Sequence, residues 1–292
     1  MVQRAYTTGD IRLLFLAELS ETYDCNEINE FLYILFNEYM GWDKARFHLE
    51  LQTILPGPSA SQFLEALSKL SSGTPVQYIT GKADFNGLTF FVNPHVLIPR
   101  PETSELAEII RQELSMRELP DYRILDIGTG SGCIAVYLKK KLPMLQVYAL
   151  DDSEESLETA RRNSGTHGTA IHFIKQDILG KDCKTYLPFV HLIVSNPPYV
   201  TMKERKSLRK NVREHEPSSA LFVPDDDPLI YYKAIADHSL GILLDPGILY
   251  LEINESLSAE VTALLKSKGF SRAIVKQDFF GKDRFIRAEL RT

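Results

Sequence analysis

Residues 124–135 read I-L-D-I-G-T-G-S-G-C-I-A, an apolar run that leads into three closely spaced glycines. The pattern predicts a buried strand from Tyr122 to Ile127 and a helix from Cys133 to Leu142. Between them, Gly128 and Gly130 allow a tight turn and a close approach of the backbone to a ligand. This strand–turn–helix unit is typical of α/β folds with a parallel sheet.

A second predicted strand, from Gln146 to Leu150, ends at Asp151, about twenty residues beyond the glycines, where α/β folds place a carboxylate that binds ribose hydroxyls. The glycine spacing is G-x-G-x-G, not the G-x-G-x-x-G of nicotinamide enzymes, and it resembles the S-adenosylmethionine loop. A helix cap is the competing role for Asp151. Asp152 and Ser153 are better cap candidates, and Asp152 with Glu155 predicts a capping box.

The tetrapeptide Asn196-Pro197-Pro198-Tyr199 follows the apolar run Leu192–Val194, which predicts another buried parallel strand. Two prolines cannot extend a sheet ladder, so the strand stops and a loop begins. Ligands of open α/β sheets bind beyond the carboxyl ends of the strands, so the tetrapeptide lies at the predicted ligand site. It resembles the N-P-P-Y signature of methyltransferases that modify planar, amide-like nitrogens.

The residue types of this tetrapeptide suit such chemistry, because an amide nitrogen is a poor nucleophile whose lone pair is delocalised. The Asn196 side-chain oxygen and the Pro197 carbonyl can each accept an N–H of a substrate NH2 group. They would align the nitrogen with a methyl donor and stabilise the positive charge that develops on it. Pro197 and Pro198 keep the backbone rigid, and Tyr199 can pack on a flat substrate group. We predict Asn196 as the catalytic residue and Asn196 to Tyr199 as the substrate site.

The composition, 44% hydrophobic and 25% charged over 292 residues, is that of an ordinary globular protein. No apolar run reaches the length of a membrane span, and Met1 to Asp10 lacks an apolar signal segment, so we expect a cytoplasmic protein without membrane contact. The net charge of -6 argues against direct stable binding to nucleic acid. Cys25, Cys133 and Cys183 are far apart and show no metal-site or disulfide spacing.

Three parts of the chain differ in pattern. Residues 1–72 carry apolar residues at helical spacing and predict a small helical domain. Residues 73–101 predict a β-hairpin linker, with short strands around the turns at Asn86-Gly87 and Asn93-Pro94. In residues 102–292, strands and helices alternate, which predicts the parallel sheet, with an antiparallel pair of strands near the C-terminal end.

Charged residues on either side of the predicted site leave two interpretations open. Arg100 and Glu102 precede a helix predicted from Ser104 to Met116, and they either line the cofactor mouth or form an ion pair at the helix start. The basic run from Met202 to Arg213 is either a solvated helix face or a flap that meets an RNA-bound or acidic partner. For the nearby His215, a hydrogen-bonded loop position is favoured over a metal site, because no further ligand is apparent.

The whole chain resembles the peptide-chain-release-factor glutamine methyltransferases, the HemK/PrmC family. The resemblance rests on the segments Pro75–Gly81, Val96–Thr103, Gly128–Gly132, Asn196–Tyr199 and Glu216–Leu221. It implies a class I S-adenosylmethionine-dependent methyltransferase domain, Rossmann-like, with a seven-stranded, mostly parallel sheet. It also implies a small N-terminal helical domain that docks a release factor. The implied reaction methylates the side-chain nitrogen (N5) of the glutamine in the factor's Gly-Gly-Gln motif, which supports translation termination.

Carried over by position, the resemblance implies that the glycine loop holds the methionine part of S-adenosyl-L-methionine, that Asp151 holds the ribose, and that Asp177 and Ile178 lie by the adenine. The predicted cofactor-binding set is Gly128, Thr129, Gly130, Ser131, Gly132, Asp151, Asp177, Ile178 and Asn196. Relatives often place an aromatic residue where Ile178 stands, and commonly a Gly and a Gln where Asn254 and Leu257 stand.

Three other functions are compatible with parts of the sequence. N-P-P-Y also serves methylation of adenine N6 in nucleic acids, although an enzyme of that kind must grip phosphates and extrude its base. A glutamine methyltransferase of a ribosomal protein would use the same chemistry on another partner. A non-catalytic cofactor-binding protein is disfavoured by the intact Asn196 and glycines.

Overall fold

The computed structural model describes residues 5–117, 120–180 and 187–290. Cys183 and the start of the segment Met1 to Asp10 lie outside the described residues. The helices are α1 Thr8–Leu19, α2 Cys25–Met40, α3 Lys44–Leu49, α4 Gly57–Ser71, α5 Val76–Thr80, α6 Pro101–Ser115, α7 Cys133–Lys141, α8 Glu154–His167, α9 Lys210–His215, α10 Ser218–Leu221, α11 Ile230–Ile242 and α12 Ser258–Ser267. The strands are β1 Lys82–Phe85, β2 Leu88–Phe91, β3 Arg123–Ile127, β4 Gln146–Asp151, β5 Ile171–Lys175, β6 Val190–Ser195, β7 Val200–Thr201, β8 Phe222–Val223, β9 Leu243–Glu252, β10 Arg272–Gln277 and β11 Asp283–Leu290. None of these helices is long and apolar enough to cross a bilayer.

Two compact units make up the described chain. The helical unit contains residues 5–81 together with Arg209–His215, and the sheet unit contains the described parts of residues 82–208 and 216–290. The β-hairpin therefore belongs to the sheet unit. The predicted division at residues 72 and 101 stays a prediction.

The helical unit is held by one apolar core. Its first two helices begin at side-chain caps: Thr7 and Asp10 form a capping box for α1, and the Asp24 side chain accepts two backbone N–H groups of α2. The rings of Phe36 and Phe63 pack with their centroids 4.2 Å apart. Other fully buried members of this core are Ile11, Phe15, Ile28, Leu32, Leu35 and Phe47.

The end of the basic run packs within the helical unit. Arg209 lies 3.1 Å from Glu27 of α2, and the His215 ring is hydrogen-bonded to the Ser72 carbonyl at 3.3 Å. His215 is thus hydrogen-bonded as expected, although at the end of a helix and not in a loop. Most cationic residues from 202 to 213 are exposed, as a solvated face requires. Among the described residues, no group of three or more His, Cys, Asp or Glu side chains could hold a metal ion.

The predicted hairpin forms from β1 and β2, which pair antiparallel around Asn86-Gly87. Both turn residues have positive φ (52° and 75°), the backbone that a two-residue hairpin loop needs. The strand expected beyond Asn93-Pro94 is absent. In its place an irregular segment buries Val96 and Ile98.

The main sheet has seven strands, the number that the family resemblance implies, and their order is β10-β11-β9-β6-β3-β4-β5. Strands β9, β6, β3, β4 and β5 run parallel, and β11 pairs antiparallel with both β9 and β10 at one edge. The residues along β3 and β6 alternate between two apolar cores, one on each face of the sheet. Because helices cover both faces, the carboxyl edge of the parallel strands is where ligands find access.

One predicted helix start and one predicted capping box are wrong, whereas Ser153, one of the two predicted cap candidates, is confirmed. α6 begins at Pro101, not at Ser104, because proline is well suited to the first helical position. α8 is capped by Ser153, whose hydroxyl accepts the Ser156 N–H, and not by a box of Asp152 with Glu155. Ser153 has the extended backbone of an N-cap and lies directly before the helix.

Candidate active site at the carboxyl edge of the sheet

A cleft opens beyond the ends of β3, β4 and β6, and every residue that lines it belongs to the sheet unit. The space within it is about 1010 Å³ when the open mouth is included. The cleft brings together most of the residues predicted for the site, from four separate stretches of chain: Gly128–Ser131, Asp151, Asp177–Ile178 and Asn196–Pro198. Gly132 and Tyr199 of the predicted set do not line it.

The glycine loop offers bare backbone to this cleft. Gly128 and Gly130 have φ of 72° and 56°, and a Cβ added to either would have no other atom within 4 Å. A Cβ on Gly132 would instead lie 3.0 Å from the Ala160 side chain on α8. The first two glycines therefore leave space for a ligand, whereas Gly132 allows two helices to pack closely.

Asp151 braces the glycine loop and also faces the cleft. One carboxylate oxygen accepts the Gly130 N–H at 2.8 Å, and the other accepts the Ser153 N–H at 3.1 Å. Burial raises the pKa of Asp151, while these two bonds favour its charged form. A carboxylate has about four acceptor positions, so capacity remains for ligand hydroxyls. Asp151 is not the cap of α8, since Ser153 takes that role.

The far end of the cleft carries Asp177, Ile178 and an aromatic residue that the sequence analysis missed. Asp177 accepts the Leu179 N–H at 2.8 Å, and the carbonyl of Ile178 is bonded to the buried His238 ring at 3.0 Å. Tyr231, on α11, lines the same cleft and is partly buried. Burial and then the charges of the nearby carboxylates raise the pKa of its hydroxyl. A half-buried aromatic on an apolar helix gives no sequence signal that would separate it from the core.

Asn196 stands at the end of β6 with one end of its amide already engaged. Its Nδ2 donates to the Thr103 hydroxyl at 2.9 Å, and that hydroxyl donates to Glu252 at 2.7 Å. With the amide nitrogen committed to Thr103, the side-chain oxygen of Asn196 is the end left for a ligand. Neither Thr103 nor Glu252 was predicted as a site residue.

Glu252 is a buried carboxyl group at the end of β9, with 1% of its surface exposed. Burial raises its pKa to about 7, against the hydrogen bonds from Thr103 and Tyr199 and the charge of Arg284, which lower it. Tyr199 donates to Glu252 at 3.2 Å and packs against the apolar core. The contact of its ring with a substrate stays a prediction.

Arg100 lies at the cleft, but its ion pair is with Glu216 and not with Glu102. The two side chains are 2.5 Å apart, and Glu216 also accepts the Ile98 N–H at 3.4 Å. Two segments distant in sequence, Val96–Thr103 and Glu216–Leu221, therefore meet at the same wall. Arg100 therefore lines the cleft, as the first interpretation expected, whereas Glu102 does not line it and the ion pair expected at the helix start is replaced by the pair with Glu216.

Asn254 and Leu257, the two positions after β9 at which this chain departs from the family pattern, do not line the cleft. Asn254 caps a short 3₁₀ helix by accepting the Ser256 N–H at 3.0 Å, and its Nδ2 donates to Glu204 at 3.3 Å. Its role is local capping, so the departure leaves the cleft itself unchanged.

The seven-stranded sheet with an antiparallel edge, the glycine loop after β3, the carboxylate after β4 and the Asn-Pro-Pro-Tyr turn after β6 define a class I methyltransferase. The family described as "Methyltransferase small domain" matches residues 105–215, and "PrmC N-terminal domain" matches residues 15–81. The site fits S-adenosyl-L-methionine, the cofactor of this class, because the bare backbone at Gly128 and Gly130 leaves room beside the Asp151 carboxylate.

Several curated relatives cover nearly all of the chain. The release factor glutamine methyltransferase of Flavobacterium psychrophilum is 40% identical, over 96% of this chain and 98% of that protein. Those of Bacteroides thetaiotaomicron and Enterococcus faecalis are 38% and 35% identical, over 92% and 88% of this chain and 95% and 91% of theirs. The chain belongs to the release factor glutamine methyltransferase family.

Solved structures share the fold at low identity. The T. thermophilus 16S rRNA N2 G1207 methyltransferase, in complex with AdoMet and guanosine, has a TM-score of 0.53 and 19% identity, over 72% of this chain and 50% of its own. A methyltransferase from Pyrococcus furiosus has a TM-score of 0.50 and 16% identity, over 81% of this chain and 100% of its own. These likenesses concern the fold and not the substrate.

Proposed function

We propose that this protein methylates the side-chain amide nitrogen (N5) of the glutamine in the Gly-Gly-Gln motif of a peptide chain release factor. The observation that carries the proposal is Asn196 at the end of β6, with its Nδ2 bound to Thr103 and its oxygen left for a substrate NH2 group. The relatives that cover this chain are named for the same activity. Methylated release factors would support translation termination.

The reacting nitrogen must be held because its lone pair is shared with the amide carbonyl. We propose that the Asn196 side-chain oxygen and the Pro197 carbonyl accept the two N–H groups of the substrate amide. Two acceptors on a rigid Pro-Pro backbone would fix the direction of the nitrogen lone pair. The same carbonyl dipoles would stabilise the positive charge that develops as the N–C bond forms, before the nitrogen loses a proton.

When bound, S-adenosyl-L-methionine supplies an electrophilic methyl group. The backbone of Gly128–Ser131 would hold its methionine part, and the free acceptor positions of Asp151 would hold its ribose. Asp177 and Ile178 would border the adenine, and Tyr231 lines the same end of the cleft. These assignments are supported by their common cleft.

The proposed partner is an intact release factor, docked by the helical domain of residues 1–72. Docking is the role that the resemblance to the release factor methyltransferases implies for this domain, and residues 15–81 match the PrmC N-terminal domain. A single glutamine in a loop provides little affinity, so docking elsewhere would raise its effective concentration at Asn196. The net charge of -6 supports a protein rather than a nucleic-acid partner, and we place the reaction in the cytoplasm.

A labelled methyl donor tests this proposal. The protein is incubated with the donor and an intact release factor, and the modified residue is mapped by mass spectrometry. We expect one methyl group on the Gly-Gly-Gln glutamine, and none on a factor in which that glutamine is replaced by glutamate. Label on a ribosomal protein or on adenine, with the release factor unmodified, would contradict the proposal.

A further inference from the structure

We infer that Thr103 and Glu252 are positioning residues that determine which end of the Asn196 amide faces the substrate. The inference deepens the proposed function and rests on it, since it concerns how the amide acceptor is presented. The chain of hydrogen bonds from Asn196 through Thr103 to Glu252 carries it. We call this the orienting chain.

The orienting chain connects three elements, and it is buried at Thr103 and Glu252 and half-buried at Asn196. Asn196 follows β6, Thr103 lies in the first turn of α6, and Glu252 is the last residue of β9. Thr103 is 4% exposed and Glu252 is 1% exposed, so solvent has little access to the hydrogen bond between them. In such surroundings an unsatisfied polar group is costly, which makes the arrangement of donors and acceptors well defined.

The direction of each bond follows from the number of protons available. A threonine hydroxyl has one proton, and at Thr103 that proton goes to the Glu252 carboxylate. The hydroxyl is then left with lone pairs alone and needs a donor from Asn196. The Asn196 NH2 supplies it, so the oxygen must be the end that faces the cleft.

The opposite orientation would abolish the proposed acceptor. With its amide rotated, Asn196 would set its oxygen against the lone pairs of Thr103 and direct its NH2 at the substrate NH2. Donor would then face donor, and the substrate nitrogen would lose the acceptor that aligns it. Glu252 thus controls a group that it does not touch.

Glu252 is held as an acceptor by further groups. Tyr199 donates to its second oxygen at 3.2 Å, and the Tyr232 hydroxyl on α11 donates to its backbone carbonyl at 3.4 Å. Two charged groups also act on it: Arg284 on β11 favours the ionised carboxylate, and Glu102 on α6 opposes it. Each carboxylate oxygen therefore receives one hydroxyl donor when Glu252 is ionised.

Protonation would reverse the orienting chain. A neutral Glu252 carries its own O–H, which can donate to Thr103 and so free the threonine proton to point at Asn196. That arrangement favours the rotated amide. Because burial raises the pKa of Glu252 to about 7, the two forms are about equally populated at neutral pH and the protonated form prevails below it.

Paired variants of Thr103 test the inference. Thr103→Val keeps the shape but removes the hydroxyl, and Thr103→Ser restores it. On a release factor we expect kcat of Thr103→Val to fall about tenfold to a hundredfold, with binding of S-adenosylhomocysteine unchanged and most of kcat recovered in Thr103→Ser. A Thr103→Val enzyme with wild-type kcat would overturn the inference, and so would a Thr103→Ser enzyme as damaged as Thr103→Val.

The pH dependence of kcat and the positions of the amide protons distinguish an orienting role of Glu252 from a purely structural one. Wild-type kcat should fall as pH decreases through about 7, and Glu252→Gln should lose this acid limb. A neutron structure of the wild type should show the deuterons of the Asn196 amide directed at Thr103; the oxygen there would overturn the inference. If the wild type does not methylate a release factor while the deuterons lie as expected, the proposed function fails and the orientation stands.

Discussion

The two sides of the cleft are built in different ways. The part of the cofactor side proposed to hold the methionine and the ribose lies between Gly128 and Asp151, where backbone groups are braced by a single carboxylate. The substrate side joins Asn196 to Thr103 across 93 positions of sequence, and Thr103 to Glu252 across 149. A site for a shared cofactor can thus be local, whereas the alignment of one particular substrate nitrogen depends on contacts that only the complete fold creates.

Removing the substrate-side acceptor should have the largest effect. Asn196→Ala should lower kcat by at least about a hundredfold, since loss of one aligned group that stabilises developing charge costs roughly 3 kcal/mol or more. Calorimetric titration with S-adenosylhomocysteine should give a nearly unchanged Kd, because the cofactor side stays intact. Near-normal turnover would exclude Asn196 as the catalytic residue.

A side chain added to the glycine loop should lower the affinity for the cofactor and leave the substrate side intact. Gly130→Val places a branched side chain in the open space of the cleft at a φ of 56°, so we expect a larger loss of cofactor affinity than for any change at Asp151. Gly168→Val is a matched control, with a φ of 64° and equally open surroundings at the end of α8, remote from the cleft lining. Equal losses of affinity in both variants would attribute the effect to backbone strain.

Asp151→Ala should weaken cofactor binding about tenfold to a hundredfold, because the charge-assisted hydrogen bonds that are lost contribute roughly 1.5–3 kcal/mol. The loss has two sources, the ribose contact and the brace on the Gly130 N–H. Glu158→Ala, an exposed carboxylate on α8, serves as control. An unchanged Kd by calorimetry would show that Asp151 only stabilises the local turn and does not bind the ribose.

Glu252 should make stability depend on pH. Its pKa is raised to about 7 in the folded state, so the stability it contributes is present at low pH and is lost as the pH rises through 7. Between pH 5 and 8, the wild type should lose about 2 kcal/mol of unfolding free energy relative to Glu252→Gln. Urea denaturation at both pH values measures this, with the exposed Glu260→Gln as control. If the unfolding free energies of the wild type and of Glu252→Gln differed by the same amount at both pH values, the pKa of Glu252 would not be raised in the folded state.

Tyr231 should show the smallest effect. Tyr231→Leu is expected to weaken binding of S-adenosylhomocysteine about fivefold, since an aromatic wall contributes roughly 1 kcal/mol beyond its apolar area. Tyr231→Phe keeps the ring and should bind almost normally. If the Phe variant were as weak as the Leu variant, the hydroxyl and not the ring would be the relevant group.

The sequence predicted the glycine loop and the position of Asn196 well, because each depends on residues within a few positions of one another. It missed Thr103, Glu252 and Tyr231 as neighbours of the cleft. Thr103 occupies an ordinary first-turn position, and Glu252 ends an apolar strand where a carboxyl group would normally be solvated. Their proximity arises from the sheet order, which places β9 beside β6 and α6 across their ends.

The path of residues 209–215 has a consequence for anyone who cuts or recombines this protein. The chain leaves the sheet unit at Arg209, contributes α9 to the helical unit, and returns at Glu216, which binds Arg100 at the cleft wall. A fragment without residues 5–81 would keep α9 but strip it of its packing partners. A hybrid with a foreign helical unit would therefore need two exchanged segments, and homologous recombination at a single point would separate parts that fold together.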